Sequence, residues 1–303
     1  MQIYSPLLER NSECKLVRTI DADFIRHEYI KQYGYDPKAE LDGVDKLSLY
    51  ECVETGLKFF MPLSTVGQEA LYKQLQTFDW NYKETKWEHD DALKFVHAKS
   101  RLLDVGCGQA AFLNRAAETK AAIVTGLEFN ESAADFGRER GVEVFTDTIQ
   151  THADLRPNYY DTVASFQVLE HVINPLSFLK SCVKALKPEG ELIIGVPNND
   201  SFLGLLDDTL LNMPPHHMSL WSRACLENVS TQLGVKHIAT YIEPLQERGW
   251  FKASIEQKYL TGKLKRKLYY KFCFDEVLSK YIDSSWQTIP GHTIMARFKK
   301  TNT

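Results

Sequence analysis

The sequence predicts an α/β fold, an open and mostly parallel sheet covered by helices on both faces. Three observations carry this. From about residue 100 apolar strand-like runs alternate with helix-period segments, which implies βαβ units. The first of these runs, RLLDV, ends in the Gly-rich turn Asp104-Val105-Gly106-Cys107-Gly108. The next run ends in an acid, Glu128, 24 residues after Asp104. Strands are expected at 101–105, 122–128, 142–146, 159–166, 191–196, 235–242 and 292–299, seven in all. Helices are expected at 109–119, 131–140 and 174–187. Asn174-Pro175 suits a helix start and Lys187-Pro188-Glu189-Gly190 a stop. After residue 197 the chain is loop-rich, then helical near 219–233 and again, partly basic, over about 245–286.

Residues 1–95 lack this rhythm and read as a separate α+β extension, an accessory or lid region before a main domain at 96–303. Phe24, Ile25, Tyr29, Ile30 and Tyr33 fall at helical spacing, and Gly34 ends that helix. Residues 47–62 read as two short strands around Glu54-Thr55-Gly56. Segments 67–75 and 81–96 read as helices, with Trp80, Tyr82 and Trp87 clustered between them.

Composition narrows the function. The 303 residues are 44% hydrophobic and 25% charged, with a net charge of −4. That is ordinary for a globular protein, and it argues against a general nucleic-acid binder. The first residues hold no apolar run of signal-peptide length and nowhere do 18 apolar residues run together, so a cytoplasmic protein without a membrane span is expected. The 6 cysteines show no disulfide-framework spacing.

Glycines at the end of a first strand let the backbone turn sharply and approach a ligand. Asp104 at such a turn repels a pyrophosphate and attracts a cation. Glu128 suits the two hydroxyls of a ribose. No Lys-Ser/Thr follows the turn, which excludes a phosphate-cradling P-loop.

LLDVGCGQAAFL, GLE, DTVASFQVLEHV and LKPEGELIIGVPN, in this order over about residues 95–245, resemble the class I S-adenosylmethionine-dependent methyltransferases. The resemblance implies a Rossmann-like seven-stranded sheet with S-adenosylmethionine as cofactor. It places Asp104 at the aminoacyl end, Gly106, Cys107 and Gly108 beneath the cofactor, and Glu128 with Phe129 at the ribose. Thr148 and Ile149 border the adenine, Gln167 and Val168 contact the cofactor, and Glu170 and His171 face the substrate. Ala110 stands where the family has a third glycine, and a small residue fits a helical first turn. The stretch Gln167–His171 is similar to the E-x-x-E-H segment of ubiquinone-type O-methyltransferases, where a divalent metal is implicated. Here Gln167 replaces the first acid, and a neutral amide is a poor partner for a hard cation; no metal is expected.

The loop LNMPPHHMSLWS places His216 and His217 after the fifth strand, where imidazole is a candidate general base. The N-terminal region resembles that of methyltransferases encoded with surface-polysaccharide genes. By that likeness Tyr82 and Trp87 approach the cofactor as a lid, and the acceptor is a hydroxyl on a sugar or glycan. Cys14 and Cys52 look like remnants of a zinc ribbon, but two cysteines do not hold a structural zinc. The alternative acceptor is a small phenolic or quinone-like molecule. An NAD-dependent oxidoreductase and a non-catalytic cofactor-binding module are less favoured classes. The basic stretch 258–271 suits an anionic substrate or a peripheral contact with an acidic membrane surface.

Overall fold

The computed structural model describes residues 1–78, 85–206 and 209–301. The chain opens with an antiparallel meander. β1 (Gln2–Ser5) and β2 (Arg10–Asp21) form a hairpin, followed by α1 (Ala22–Tyr33). The Asp21 side chain accepts from the Asp23 amide to start α1, and Gly34 at φ 63° ends it. β3 (Lys46–Cys52) and β4 (Lys58–Met61) extend the meander beside β2. β1 and β2 were not expected, because β2 is polar and mostly exposed and carries no clear apolar alternation. Two short helices follow, α2 (Glu69–Leu75) and α3 (Trp87–Ala92). The latter is shorter than the helix expected over 81–96, and Trp80 and Tyr82 lie outside the described residues.

The βαβ rhythm then runs as expected through β5 (Arg101–Val105), α4 (Ala111–Lys120), β6 (Ile123–Leu127), α5 (Glu131–Glu139) and β7 (Glu143–Phe145). A short helix that the sequence reading left out, α6 (Ile149–Leu155), starts on the Thr148 hydroxyl, which accepts from the Thr151 amide. β8 (Tyr160–Phe166), α7 (Pro175–Ala185) and β9 (Leu186–Pro197) follow. Then come β10 (Ser219–Leu220), α8 (Arg223–Leu233), β11 (Lys236–Pro244), α9 (Arg248–Tyr259), α10 (Lys263–Lys271), α11 (Phe274–Ser285) and β12 (Pro290–Lys299).

The main sheet has seven strands in the order β11-β12-β9-β8-β5-β6-β7. The central pairs are parallel, and β12 runs antiparallel to both β9 and β11. Strand order reverses between β5 and β8. That reversal opens the crevice at the carboxyl ends of the strands where ligands of open α/β sheets bind.

The boundary expected near residue 95 does not separate two cores. β10, from the loop after β9, pairs with β4 (Ser219 with Phe59, Leu220 with Lys58) and completes a five-stranded sheet, β1-β2-β3-β4-β10. One buried cluster joins Leu7, Cys14 and Phe59 of the N-terminal sheet to Val163, Leu179 and Trp221 of the rest. α9 to α11 pack around a smaller cluster of Phe202, Leu203, Leu245 and Ile282, to which α10 contributes no buried residue. No helix among the described residues is long and apolar enough to cross a membrane.

Candidate active site

At the switch point lies a cavity of about 860 Å³. Its floor is the turn after β5. The amides of Gly106 and Cys107 both donate to the Leu127 carbonyl, at 2.8 and 3.0 Å, and so tie the turn to the end of β6. Gly106 has φ 81°, and a Cβ there would lie 2.3 Å from a methyl of Val168. Glycine is therefore required at this point both by conformation and by close approach. Ala110 departs from expectation. It is not in a right-handed first turn but in the left-handed region, at φ 59° and ψ 25°, fully buried, with its methyl toward Gly137. The missing glycine is thus a glycine-type backbone position held by alanine.

Asp104, at the carboxyl end of β5, is 3% exposed, and its Oδ1 has no hydrogen-bond partner among the described residues. Burial pushes its carboxyl up to about 7, opposed by Lys86 and reinforced by Glu128. A buried carboxylate without a partner is costly, and an entering cation relieves it. Glu128 is oriented by backbone: Oε2 accepts from the Gly108 amide and Oε1 from the Asn130 amide, each at 2.9 Å. Phe129, Thr148, Ile149, Gln167 and Val168 also line the cavity, as do Cys107 and Gly108. The Cys107 thiol packs toward Gly126, and burial raises its pKa. Trp87, expected in the lid, packs instead against the core cluster that holds Val96 and Phe112 and is not among the cavity-lining residues. Tyr82 lies outside the described residues. The N-terminal wall is built by residues the sequence reading passed over: Val66, Gly67, Tyr72, Gln76, Lys86 and His89.

On the other side of the turn, β8 ends at Phe166, Gln167 follows, and a single 3-10 turn, Leu169–His171, presents the Glu-His pair. The loop holding His216 and His217 folds back on it. The Met218 amide donates to the Glu170 carbonyl at 2.8 Å, and Gly67 donates to the Pro215 carbonyl at 2.7 Å. Three imidazoles meet here, with ring centroids 4.6 Å (His171–His216), 4.9 Å (His171–His217) and 4.5 Å (His216–His217) apart. His171 and His216 line the cavity beside Tyr72, whereas His217 and Glu170 lie just behind that wall. Burial depresses all three imidazoles, His171 to about 4 and His216 to about 3, so they are neutral near pH 7. Burial pushes Glu170 up to about 8, and neither of its carboxylate oxygens has a partner among the described residues. Gln167, which stands in for the first acid of the E-x-x-E-H pattern, turns its amide away toward Glu88 (3.3 Å) and Thr293 (3.5 Å). The expectation of no metal weighed Gln167 alone; the structure gathers His171, His216 and His217 with ligand atoms all within 4.8 Å.

The comparisons with known proteins agree with this fold. Residues 103–194 match the family described as a methyltransferase domain. A ubiquinone biosynthesis O-methyltransferase of Vibrio cholerae is 35% identical over 106 residues, 33% of this chain and 43% of that protein. One from Photobacterium profundum is 28% identical over 182 residues, 54% of this chain and 77% of that protein. The chain thus spans less than half the length of the first curated relatives it matches. The crystal structure of an S-adenosylmethionine-dependent methyltransferase from Archaeoglobus fulgidus superposes with a TM-score of 0.54 at 18% identity, covering 76% of this chain and all of that one. The fold is accordingly the Rossmann-like methyltransferase fold. The stretch 103–194 is a methyltransferase domain.

Proposed function

We propose that the protein is an S-adenosylmethionine-dependent O-methyltransferase acting on a small phenolic or quinone-like hydroxyl compound. The observation that carries this reading is a single cavity walled both by the unpartnered Asp104 carboxylate and by the neutral imidazoles of His171 and His216. Asp104 receives the cationic end of the cofactor and Glu128 its ribose. The acceptor hydroxyl lies against His171 and His216. Its oxygen attacks the methyl carbon in line as the carbon–sulfur bond breaks, the bonding pair stays on sulfur as a thioether, and the hydroxyl proton passes to an imidazole. Neutral imidazole suits this role, because a protonated one accepts nothing. Val66, Tyr72 and His216 line this side of the cavity and limit the access of water to the sulfonium.

The phenolic acceptor is preferred to the sugar acceptor that the N-terminal likeness implied, because the curated relatives reported above are named for ubiquinone biosynthesis. An amphipathic acceptor also agrees with the basic, apolar surface of α10, which we assign to peripheral contact with a membrane.

The test is a thermal-shift titration with S-adenosylmethionine, S-adenosylhomocysteine and NAD, followed by mass spectrometry of methyl transfer to a catechol and to a glycoside. Stabilisation by the two sulfur nucleosides and methylation of the catechol are expected. Stabilisation by NAD alone, or methylation of the glycoside alone, overturns the reading. His171→Ala and His216→Ala are expected to lower turnover at least 10-fold, on the order of one proton-transfer contribution, with cofactor affinity unchanged. Full turnover in both removes the general base.

A further inference from the structure

We propose that Cys14 and Cys52 are a redox-active pair, which closes to a cross-strand disulfide when the protein meets a peroxide and reopens with a dithiol. Neither residue lines the cavity, so the pair stands apart from the methyl-transfer chemistry proposed above.

The strand register brings them together. Cys14 of β2 and Cys52 of β3 lie directly opposite one another in the antiparallel pair, and both are buried free thiols. Opposite residues project to the same face, here into the cluster that also holds Leu7, Phe59 and Trp221. Their backbone hydrogen bonds all lead elsewhere. The Cys14 amide donates to the Met1 carbonyl at 2.8 Å, and the Cys14 carbonyl accepts from the Met1 amino group at 3.0 Å. The Cys52 amide donates to the Leu57 carbonyl at 2.9 Å, and the Cys52 carbonyl accepts from the Gly56 amide at 2.8 Å. The bond between the strands falls beside the pair instead, from the Val53 amide to the Glu13 carbonyl at 3.0 Å. This is the non-hydrogen-bonded type of antiparallel pair, in which the Cα atoms stand about 4.5 Å apart and the side chains come closest. That separation lies inside the range of about 4.4–6.8 Å that a disulfide spans. A third thiol, Cys225 of α8, shares the cluster but has no place in the register of these strands.

The surroundings decide which sulfur reacts first. Burial opposes ionisation of Cys52, but donors that include Thr55 and Ser12 outweigh it and lower the thiol from its ordinary value. Ser12 Oγ lies 3.8 Å from Cys52 Sγ. Cys14 is pushed up to about 11, by burial and then by the neighbouring Cys52. Cys52 is thus the attacking thiolate and Cys14 the resolving thiol. With hydrogen peroxide, the Cys52 sulfur attacks one oxygen. An S–O bond forms, the O–O bond breaks, and hydroxide leaves as water with the proton of the Cys52 thiol. The Cys14 sulfur then attacks the Cys52 sulfur. The S–S bond forms, the S–O bond breaks, and hydroxide leaves as water with the Cys14 proton. Two thiols are oxidised and one peroxide is reduced to two waters.

Access comes through β1, a four-residue edge strand whose Ile3 carbonyl lies 4.0 Å from Cys14 Sγ. Short edges open locally at lower free energy than the whole fold. Once formed, the bridge fastens β2 to β3, and β3 pairs with β4, the strand that holds β10. Oxidation therefore stiffens the sheet from which the His216 loop reaches the cavity, without consuming a group of the cavity itself.

The test uses the full chain carrying Cys273→Ser, which removes the exposed thiol. The reduced protein is treated with hydrogen peroxide under native conditions, free thiols are alkylated, and a non-reducing digest is read by mass spectrometry. A peptide joining Cys14 to Cys52 is expected, formed at least about 10-fold faster than oxidation of the buried Cys182 and lost on adding dithiothreitol. Cys14→Ser is expected to stop at a sulfenic acid on Cys52 that dimedone traps, and Cys52→Ser to leave Cys14 unoxidised. Cys225→Ala is expected to leave the rate of bridge formation within about 2-fold. Melting curves show that each variant is folded. Thiols that all persist, a bridge from Cys52 to Cys225, or oxidation spread evenly over the buried cysteines overturns the pair. Dimedone trapping on Cys14 instead of Cys52 overturns the order of attack.

Discussion

Asp104 has no partner for its Oδ1, and burial pushes its carboxyl up to about 7. The native chain therefore holds a proton there that the unfolded chain has already released above the ordinary carboxylate range. Stability from this group is complete below about pH 4 and is lost as pH rises through about 7. A sulfonium or ammonium group beside it reverses the balance. The stabilisation by S-adenosylmethionine is expected to grow from pH 6 to pH 8, and Asp104→Asn is expected to flatten that dependence and to weaken binding at pH 8; melting curves across pH check both. At Ala110 two effects oppose. Glycine would relieve a left-handed backbone worth about 1–2 kcal/mol. It would also remove a buried methyl worth about 0.8 kcal/mol and loosen the unfolded chain. Ala110→Gly is thus expected to change unfolding free energy by less than about 1 kcal/mol. At Gly106 both effects act in one direction, and Gly106→Ala is expected to cost more than about 1 kcal/mol, with denaturant titration comparing the two. The places of Asp104, Gly106 and Glu128 at the cavity were legible because they are set by position relative to strand ends. The hydrogen bonds that link Asn212 to Asn199 and to His217 were not, since these residues come together only through the fold of the loop after β9.

α10 shows what a pattern reveals and what it withholds. The run of Lys263, Lys265, Arg266, Lys267 and Lys271 is visible in the sequence. The exposure of the apolar side chains on and beside the same element is not. Leu264, Leu268, Phe272, Phe274, Val277 and Tyr281 all remain exposed, and no residue of α10 is buried. The sequence reading had one helical insertion where the chain makes three helices, of which the middle one carries apolar groups between cations. Such an element suits the peripheral membrane contact proposed for it, where each cation near an anionic surface contributes about 1 kcal/mol. Sedimentation with phosphatidylglycerol vesicles is expected to carry the protein down and with phosphatidylcholine vesicles to leave it in solution. Lys265→Glu with Lys267→Glu is expected to reduce binding at least 10-fold, consistent with that contribution. Binding that ignores lipid charge would count against the assignment.

The strand alternation from residue 100 onward foretold the main sheet because parallel strands buried on both faces are near-continuous apolar runs. The strand that ties residues 1–95 to the rest was not visible in the sequence, because β10 is only two residues long, Ser219 and Leu220, and no periodicity shows at that length. With Leu7, Phe59 and Trp221 in one buried cluster, the chain is expected to unfold in one calorimetric transition. A fragment lacking residues 1–62 is expected to give no cooperative transition, because Trp221 and its neighbours lose the sheet that covers them.

The pairing of β10 with β4 also constrains how such a chain can change by recombination. The loop bearing His216 and His217 reaches the cavity by way of a strand that belongs to the N-terminal sheet. A contiguous exchange of the first hundred residues with a relative would keep one half of that pairing and discard the other. The heritable module here is discontinuous: residues 46–61 travel productively only with residues 211–222. A chimaera that exchanges both should keep its histidines in place, and one that exchanges the N-terminal part alone should misplace them even with every site residue present.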